Sequence, residues 1–151
     1  NVLETLPFAD RTFDAIVIPF VLVSILSLSD RRFVAREALR TLNAGGLVWV
    51  NDALVSTDYS ERYAQYQLYG PEEHTFFVFR RNVDRLTVRT AEGIELALRR
   101  GDIMRIAHHF TVGELKELFR EADCIDERFQ TVVSPNSGMT INTTTLIFRK
   151  P

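Results

Sequence analysis

Residues 6–20 read LPFADRTFDAIVIPF and contain the segment from which the fold can be predicted. Ala15 to Phe20 is almost uninterruptedly aliphatic, which is typical of a strand buried on both faces by helices, as in a parallel sheet. Pro19 has no backbone N–H and fits poorly inside a central ladder, so we expect the strand to end near Ile18. Because ligands of open α/β sheets bind beyond the carboxyl ends of the strands, we expect a site there.

A helix and a second buried strand follow. Ser29-Asp30 offers an N-cap and apolar residues recur at helical spacing, which predicts an amphipathic helix from Asp30 to Leu42. Gly45-Gly46 is expected to stop this helix, and Leu47 to Val50 reads as the second strand. Asn51-Asp52 should end that strand on the ligand side of the sheet, either as substrate contacts or as ordinary strand terminators.

Residues 56–110 predict a small antiparallel cap. Four tyrosines at spacings of four, three and three share one face of a predicted helix, a pattern that usually indicates packing: Tyr59, Tyr63, Tyr66 and Tyr69. Thr75 to Arg80 and Leu86 to Leu98, the latter broken at Ala91-Glu92-Gly93, predict a strand and a hairpin.

The last third of the chain predicts one helix and two strands. Thr111-Val112-Gly113-Glu114 is a capping box, so a helix should begin at Val112 and run to Ala122. Ile125 to Val133 reads as a strand, Ser134 to Gly138 as a turn, and Thr143 to Phe148 as the last strand.

The composition describes an ordinary globular chain. Its 151 residues suffice for one domain with a buried core. A net charge of −2, with 25% charged residues, leaves no basic footprint for nucleic acid or an anionic membrane. The apolar segment Ala15 to Leu28 is too short to span a membrane. The single cysteine, Cys124, suits a reducing compartment, and we expect a cytoplasmic protein.

Several of these segments, taken in order, resemble class I S-adenosyl-L-methionine (SAM)-dependent methyltransferases. The resemblance rests on Leu6-Pro7-Phe8, Asp10, Phe13-Asp14, the apolar strand, the helix ending EALRTLNAGG at residues 37–46, and the second apolar strand. It resumes at His109-Phe110-Thr111 with the following helix and at Thr144 to Pro151, so that it covers roughly two-thirds of the chain.

The resemblance implies a Rossmann-like three-layer α/β fold of which this chain supplies the fourth to seventh strands. The last strand would be antiparallel and inserted between its predecessors, and residues 56–110 would form a substrate lid. The family's glycine-rich loop lies upstream of the Leu-Pro-Phe segment, and the seven glycines here include no G-x-G. The chain therefore reads as the C-terminal part of a methyltransferase domain and is expected to be inactive alone.

The resemblance also implies a site for SAM and a small-molecule acceptor, without a metal ion. Cofactor contacts would come from residues around adenine and near the sulfonium: Val2, Leu3, Leu6, Phe8, Ile18, Pro19 and Phe20. Substrate contacts would come from Asn51, Asp52, Tyr63 and Tyr66. Relatives carry an acidic residue where this chain has Val2, so a backbone group would have to meet the adenine amino group, unless Val2 and Leu3 simply pack.

His108 and His109 are the candidate general bases. Methyl transfer is an in-line displacement, and an oxygen or nitrogen acceptor needs a nearby group that removes its proton. Neighbours on an extended chain point to opposite faces, so at most one of the two should face the pocket. The alternative interpretation is a solvent-facing or capping histidine. Many relatives have a histidine shortly after the fourth strand, where this chain has Val23.

Two other functions remain open. One is a non-catalytic binding or scaffolding subunit in which Val2 and Val23 mark a decayed site, and the other is part of a nicotinamide enzyme. In the fold that the resemblance implies, the apolar strand Asp14 to Ile18 is central, and in this chain it would lack its neighbour on one side, the first strand. Its unpaired edge predicts a homodimer or an element-swapped assembly.

Overall fold

The computed structural model describes residues 2–68, 70, 72–79, 103–133 and 140–151. Within these ranges the chain forms three α-helices and six strands. In chain order they are β1 (Phe13–Pro19), α1 (Leu28–Thr41), β2 (Leu42–Ala53), α2 (Ser60–Gln67), β3 (Thr75–Phe79), β4 (Ile103–His108), α3 (Val112–Leu118), β5 (Asp123–Val133) and β6 (Thr140–Arg149), with short 3₁₀ turns at Leu22–Ser24 and Thr57–Tyr59. No helix in the described part of the chain is long and apolar enough to cross a membrane.

The main sheet is mixed and has the order β1-β2-β6-β5. β1 and β2 are parallel, whereas β6 is antiparallel to both β2 and β5 and lies between them. This arrangement confirms the expected α/β fold, including the last strand inserted between its predecessors. β3 and β4 form a separate two-stranded antiparallel sheet.

The prediction that the first strand is buried on both faces is wrong. Ile18 is 6% exposed and packs in the main core, but Val17, its neighbour on the other face, is 62% exposed. The core lies on the Ile18 face, where residues of α1 and α3 such as Ala35 and Leu115 join the same cluster. On the opposite face Leu47 of β2 is also exposed. The aliphatic strand β1 is therefore covered on one face only.

The boundary between α1 and β2 also differs from the prediction. The helix begins at Leu28, with Ser27 as its N-cap, and ends at Thr41, directly before β2. Gly45-Gly46 therefore lies inside the strand and does not stop the helix. Phe13 pairs with Leu42 and Ala15 pairs with Leu47. An advance of two residues along β1 is therefore matched by five residues along β2, and β2 bulges between these two pairs. Gly45 has a φ of 74°, which a glycine adopts at little cost.

The bulge is held by the end of the chain. The N–H of Gly45 donates to the carbonyl of Lys150, and the N–H of Lys150 donates to the carbonyl of Gly46. β2 then continues through Asn51 and Asp52 to Ala53, because β6 pairs with it along that length. Asn51-Asp52 consequently does not end the strand as predicted.

The capping box at Thr111 is confirmed, with both of its hydrogen bonds present and the helix starting at Val112. α3 ends at Leu118, earlier than Ala122, and the ring of Phe119 stacks on Phe148 of β6 at 4.9 Å. β5 then starts at Asp123.

The predicted cap is described in part. α2 carries Tyr63 and Tyr66, and Tyr59 lies directly before it; all three are buried, as expected of such a stripe. The strand predicted at Thr75 to Arg80 is β3. Its partner is β4, a strand that the sequence analysis did not predict. Tyr69, Leu86 to Leu98 and the turn Ser134 to Gly138 lie outside the described residues.

Candidate functional site

The carboxyl ends of β1 and β2 meet at one edge of the sheet, because the two strands are parallel. Pro19 pairs with Asn51, and the N–H of Phe20 donates to the carbonyl of Asn51 at 2.7 Å. Phe20 has a φ of 50°, so the chain turns out of the sheet there and leaves the ring 49% exposed. The structure thus brings together four of the predicted site residues: Pro19, Phe20, Asn51 and Asp52.

Asp52 is fully buried behind this edge. Its Oδ1 accepts the N–H of Ala53 at 2.9 Å, and its Oδ2 accepts the N–H of Val23 at 3.2 Å. Burial raises the pKa of Asp52 to about 7, although these hydrogen bonds and Arg31 oppose the rise. Both oxygens are engaged by backbone groups, so Asp52 ties the turn after β1 to the end of β2.

Asn51 is bound to the neighbouring strand. Its Nδ2 donates to the carbonyl of Thr144 at 3.2 Å and to Oγ1 of Thr145 at 2.8 Å. The side chain is buried, and the two hydrogen bonds hold its amide against β6.

His109 lies in an aromatic cluster and is 3% exposed. Its Nδ1 lies 2.7 Å from the hydroxyl of Tyr63, which in turn accepts the N–H of Ser56 at 3.3 Å. Because the Tyr63 oxygen already accepts one proton, its own proton is assigned toward Nδ1, and the ring proton of His109 then sits on Nε2. The rings of Tyr59 and Phe76 lie 4.6 and 4.7 Å away between centroids.

This environment sets the charge of His109. Burial, together with the neighbouring His108 and His74, lowers its pKa to about 4. The imidazole of His109 is therefore neutral near pH 7, and its Nε2–H is a hydrogen-bond donor.

His108 is equally buried but has different partners. Its Nδ1 lies 3.0 Å from Oγ1 of Thr75, whose hydroxyl donates to the carbonyl of Glu73. The Thr75 oxygen therefore accepts the Nδ1–H of His108, and the second ring nitrogen, Nε2, is directed elsewhere. That Nε2 has no hydrogen-bond partner and lies 3.6 Å from Oε1 of Glu114. The adjacent histidines thus face different surroundings, as expected for an extended chain.

Glu114 is ionised beside His108. Burial raises the pKa of its carboxyl, but the contact with His108 and the hydrogen bonds from Thr111 outweigh this and bring it to about 2. β4 packs against the turn Leu22–Ser24, so His108, its last residue, belongs to an element next to the turn that follows β1.

A pocket of about 300 Å³ opens between the first turn of α1 and the helix α3. It is lined by Leu28, Arg31, Arg32, Phe110, Gly113, Glu114, Glu117 and Leu118. Arg31 is 3% exposed, lies 3.3 Å from Glu72 and places its guanidinium over the Phe110 ring at 5.4 Å. These residues were not among the predicted site residues, although Arg31 stands out in the sequence as an arginine on the apolar face of the predicted helix.

Tyr66 packs against β3. Its ring lies against Phe77 of β3 with the centroids 5.1 Å apart, and burial raises the pKa of its phenol. Like Tyr63, it therefore serves the packing of α2, which is the usual meaning of such a stripe.

The N-terminal candidates lie toward the other end of β1. Leu6 to Asp10 contact the last turns of α1, and the N–H of Thr12 donates to the carbonyl of Thr41 at 2.7 Å. From here to Phe20 the chain runs the length of β1, about 20 Å at the usual rise per residue. Val2, Leu3 and Phe8 each expose about 45% of their surface. The structure therefore does not place Leu6 and Phe8 beside Pro19 and Phe20.

Comparison with known proteins identifies the fold. Residues 1–50 match the family model of a methyltransferase domain. No curated protein matches the sequence.

Three solved structures illustrate the likeness. A SAM-dependent methyltransferase of Methanosarcina mazei is 24% identical with a TM-score of 0.76, and the match covers 99% of this chain and 64% of that one. The N-methyltransferase NodS of Bradyrhizobium japonicum, in complex with S-adenosyl-L-homocysteine, is 13% identical with a TM-score of 0.54, covering 100% and 52%. A SAM-dependent methyltransferase of Thermotoga maritima is 15% identical with a TM-score of 0.55, covering 100% and 62%.

These similarities confirm the resemblance to class I SAM-dependent methyltransferases at the level of the fold. The four-stranded mixed sheet is the part of the Rossmann-like methyltransferase fold that the sequence predicted. The chain spans about two-thirds or less of each of the three proteins' lengths.

Proposed function

We propose that the protein containing this chain is a SAM-dependent methyltransferase that acts on a small molecule. The observation that carries the proposal is the match of residues 1–50 to the methyltransferase domain, within a chain that has the methyltransferase sheet order. Bound SAM would supply a methyl group on a positively charged sulfur, which reacts by in-line displacement. Since the 151 residues contain no G-x-G, we expect them to be inactive alone.

The residues present fit part of this cofactor. Pro19 and Phe20 form an apolar edge where the backbone leaves the sheet, and such a surface suits the carbon atoms around the sulfonium of SAM. Val2, Leu3 and Phe8 expose apolar side chains that suit the flat faces of adenine. In this proposal Ile18 supports the edge from the core.

His108 is the better base of the two candidates. Its Nε2 has no hydrogen-bond partner, and a proton on that nitrogen would lie beside the ionised Glu114. His109 has its lone pair bonded to Tyr63, so it acts as a donor. We expect His108→Ala to lose turnover while it retains SAM affinity, and His109→Ala to remain active. Equal turnover in both variants would remove the assignment.

Calorimetric titration of the complete protein tests the function. Binding of SAM and S-adenosylhomocysteine, without binding of NAD, is the expected result. Binding of NAD alone would point to a nicotinamide enzyme instead. Binding of none of the three would favour a non-catalytic scaffolding subunit, and either outcome would overturn the proposal.

Localisation and assembly follow from separate features. The single cysteine supports a cytoplasmic protein, and the net charge gives no reason to expect nucleic acid or membrane partners. β1 is the edge strand of the main sheet in the described residues, which supports a homodimer or swapped assembly through that edge. A monomer in light scattering at high concentration, with freely exchanging β1 amides, would contradict this assembly.

A further inference from the structure

Arg40, in the last turn of α1, uses all five of its N–H groups. Its Nε and one Nη2–H donate to the two carboxylate oxygens of Glu37, each at 2.9 Å. Its Nη1 donates to Oδ1 of Asp10 at 2.7 Å and to the carbonyl of Phe8 at 2.9 Å. Its second Nη2–H reaches the carbonyl of Leu6 at 3.2 Å. Three of the five acceptors thus belong to residues 6–10.

Glu37 completes the connection from the other side. Its Oε2 also accepts the N–H of Leu6 at 2.9 Å, and its side chain is 11% exposed. The hydrogen bonds from Arg40 and Leu6 lower the pKa of Glu37, and Glu37 and Asp10 raise the pKa of Arg40. Both side chains are charged near pH 7, so the hydrogen bonds are charge-assisted.

The same segment is held again just downstream. The N–H of Arg11 donates to the carbonyl of Arg40, and the N–H of Thr12 donates to that of Thr41. The Phe8 ring packs edge-on against Phe13, the first residue of β1, with the centroids 4.9 Å apart. The backbone of residues 6–12 is thereby fixed to the end of α1, while the Phe8 ring stays 46% exposed.

We propose that Glu37 and Arg40 are positioning residues that hold the Leu6–Asp10 segment for cofactor binding without touching the cofactor themselves. This inference rests on the proposed function, in which Phe8 of this segment contacts adenine. Lysine could not replace Arg40, because its ammonium has three donors and lacks the planar fork that meets five acceptors.

Arg40→Lys tests the inference in the complete protein, with Arg36→Lys as the matched control. Arg36 is exposed on the same helix, and replacing it with lysine keeps the positive charge at that position and a residue that suits the helix. We expect Arg40→Lys to weaken SAM binding about tenfold by calorimetry, which is the effect of losing about one charged hydrogen bond. The affinity for adenosine, measured by competition, should fall by the same factor because the segment would contact adenine. The Arg36→Lys variant should bind SAM and adenosine as tightly as the wild type does.

A second variant and a second readout guard against a general loss of structure. Glu37→Gln should weaken SAM binding in the same direction. Amide hydrogen exchange should show faster exchange at Leu6 in Glu37→Gln, with β2 amides still protected. Exchange that accelerates equally throughout the chain would reduce the pair to a general structural role and overturn the inference.

The two proposals fail in different ways. If the wild-type protein binds SAM and Arg40→Lys binds it equally well, the positioning role is wrong and the methyltransferase proposal stands. If the wild-type protein does not bind SAM, both are wrong.

Discussion

Replacing Asp52 with asparagine should change how the stability of the protein depends on pH. The Asp52 carboxyl is fully buried, and burial raises its pKa from an ordinary value of 3.8 to about 7. In the unfolded chain the same carboxyl is hydrated and returns to its ordinary pKa. Between these two pKa values the folded protein therefore holds a proton on Asp52 that the unfolded chain has released.

The sign and size follow from those two values. Below pH 3.8 both states are protonated, so the group does not oppose folding. Between pH 3.8 and about 7 the unfolded state ionises while the folded state does not, and stability falls steadily. Above pH 7 the loss is complete and amounts to about 4 kcal/mol at about 1.4 kcal/mol per pKa unit.

Urea unfolding of the wild type and Asp52→Asn between pH 4 and 8 measures the effect. The free energy of unfolding of the variant minus that of the wild type should rise by about 4 kcal/mol from pH 4 to pH 7 and then level off. Other carboxylates, including Glu37 and Glu114, contribute equally to both proteins and cancel. Asp123→Asn, at an exposed position, should follow the wild-type profile. Parallel profiles for Asp52→Asn and the wild type would refute the reasoning.

Three further substitutions test the packing by urea unfolding. Tyr63→Phe should cost about 2 kcal/mol, because the buried Nδ1 of His109 and a backbone N–H lose their shared partner; an unchanged midpoint would contradict that network. Gly46→Ala should cost about 1–3 kcal/mol, since its Cβ would lie 2.8 Å from Cγ of Leu42; a stable variant would show that Leu42 can move. Thr111→Ala should cost about 1 kcal/mol by removing the N-cap of α3, and Thr111→Ser should restore most of it if capping is the cause.

Local patterns in the sequence predicted the elements that depend on neighbouring residues. The capping box at Thr111 places both of its partners within one turn, and the structure shows both hydrogen bonds. The helical spacing of the tyrosines also depends only on residues of one helix, and Tyr63 and Tyr66 pack as expected.

Predictions that depended on distant strands were less accurate. Gly45-Gly46 looked like a helix stop, but Lys150 supplies hydrogen bonds that keep both glycines in β2. Asn51-Asp52 looked like a strand end, yet pairing with Thr144 and Thr145 of β6 extends the strand past them. A terminator pattern is a weak local preference, and a neighbouring strand with free backbone groups can override it.

The candidate site depended even more on packing. The sequence identified Asp52 and the two histidines by residue type and position. It could not show that backbone groups occupy both Asp52 oxygens, or that Thr75 and Tyr63 assign different roles to His108 and His109. The accessibility and protonation of a polar side chain depend on which distant groups surround it.

The sequence by itself determined the α/β class, the order along the chain of the helices and of the four strands of the main sheet, and the resemblance to methyltransferases, because these follow from residue type and short-range spacing. Only the tertiary structure decided which face of β1 is covered, why Asp52 has a raised pKa and how Arg40 holds residues 6–10. Arg40 and Asp10 are 30 positions apart, and Asp52 and Val23 are 29 apart. No local pattern encodes such a contact, since it forms only when the helix and the strands that carry these residues have packed together.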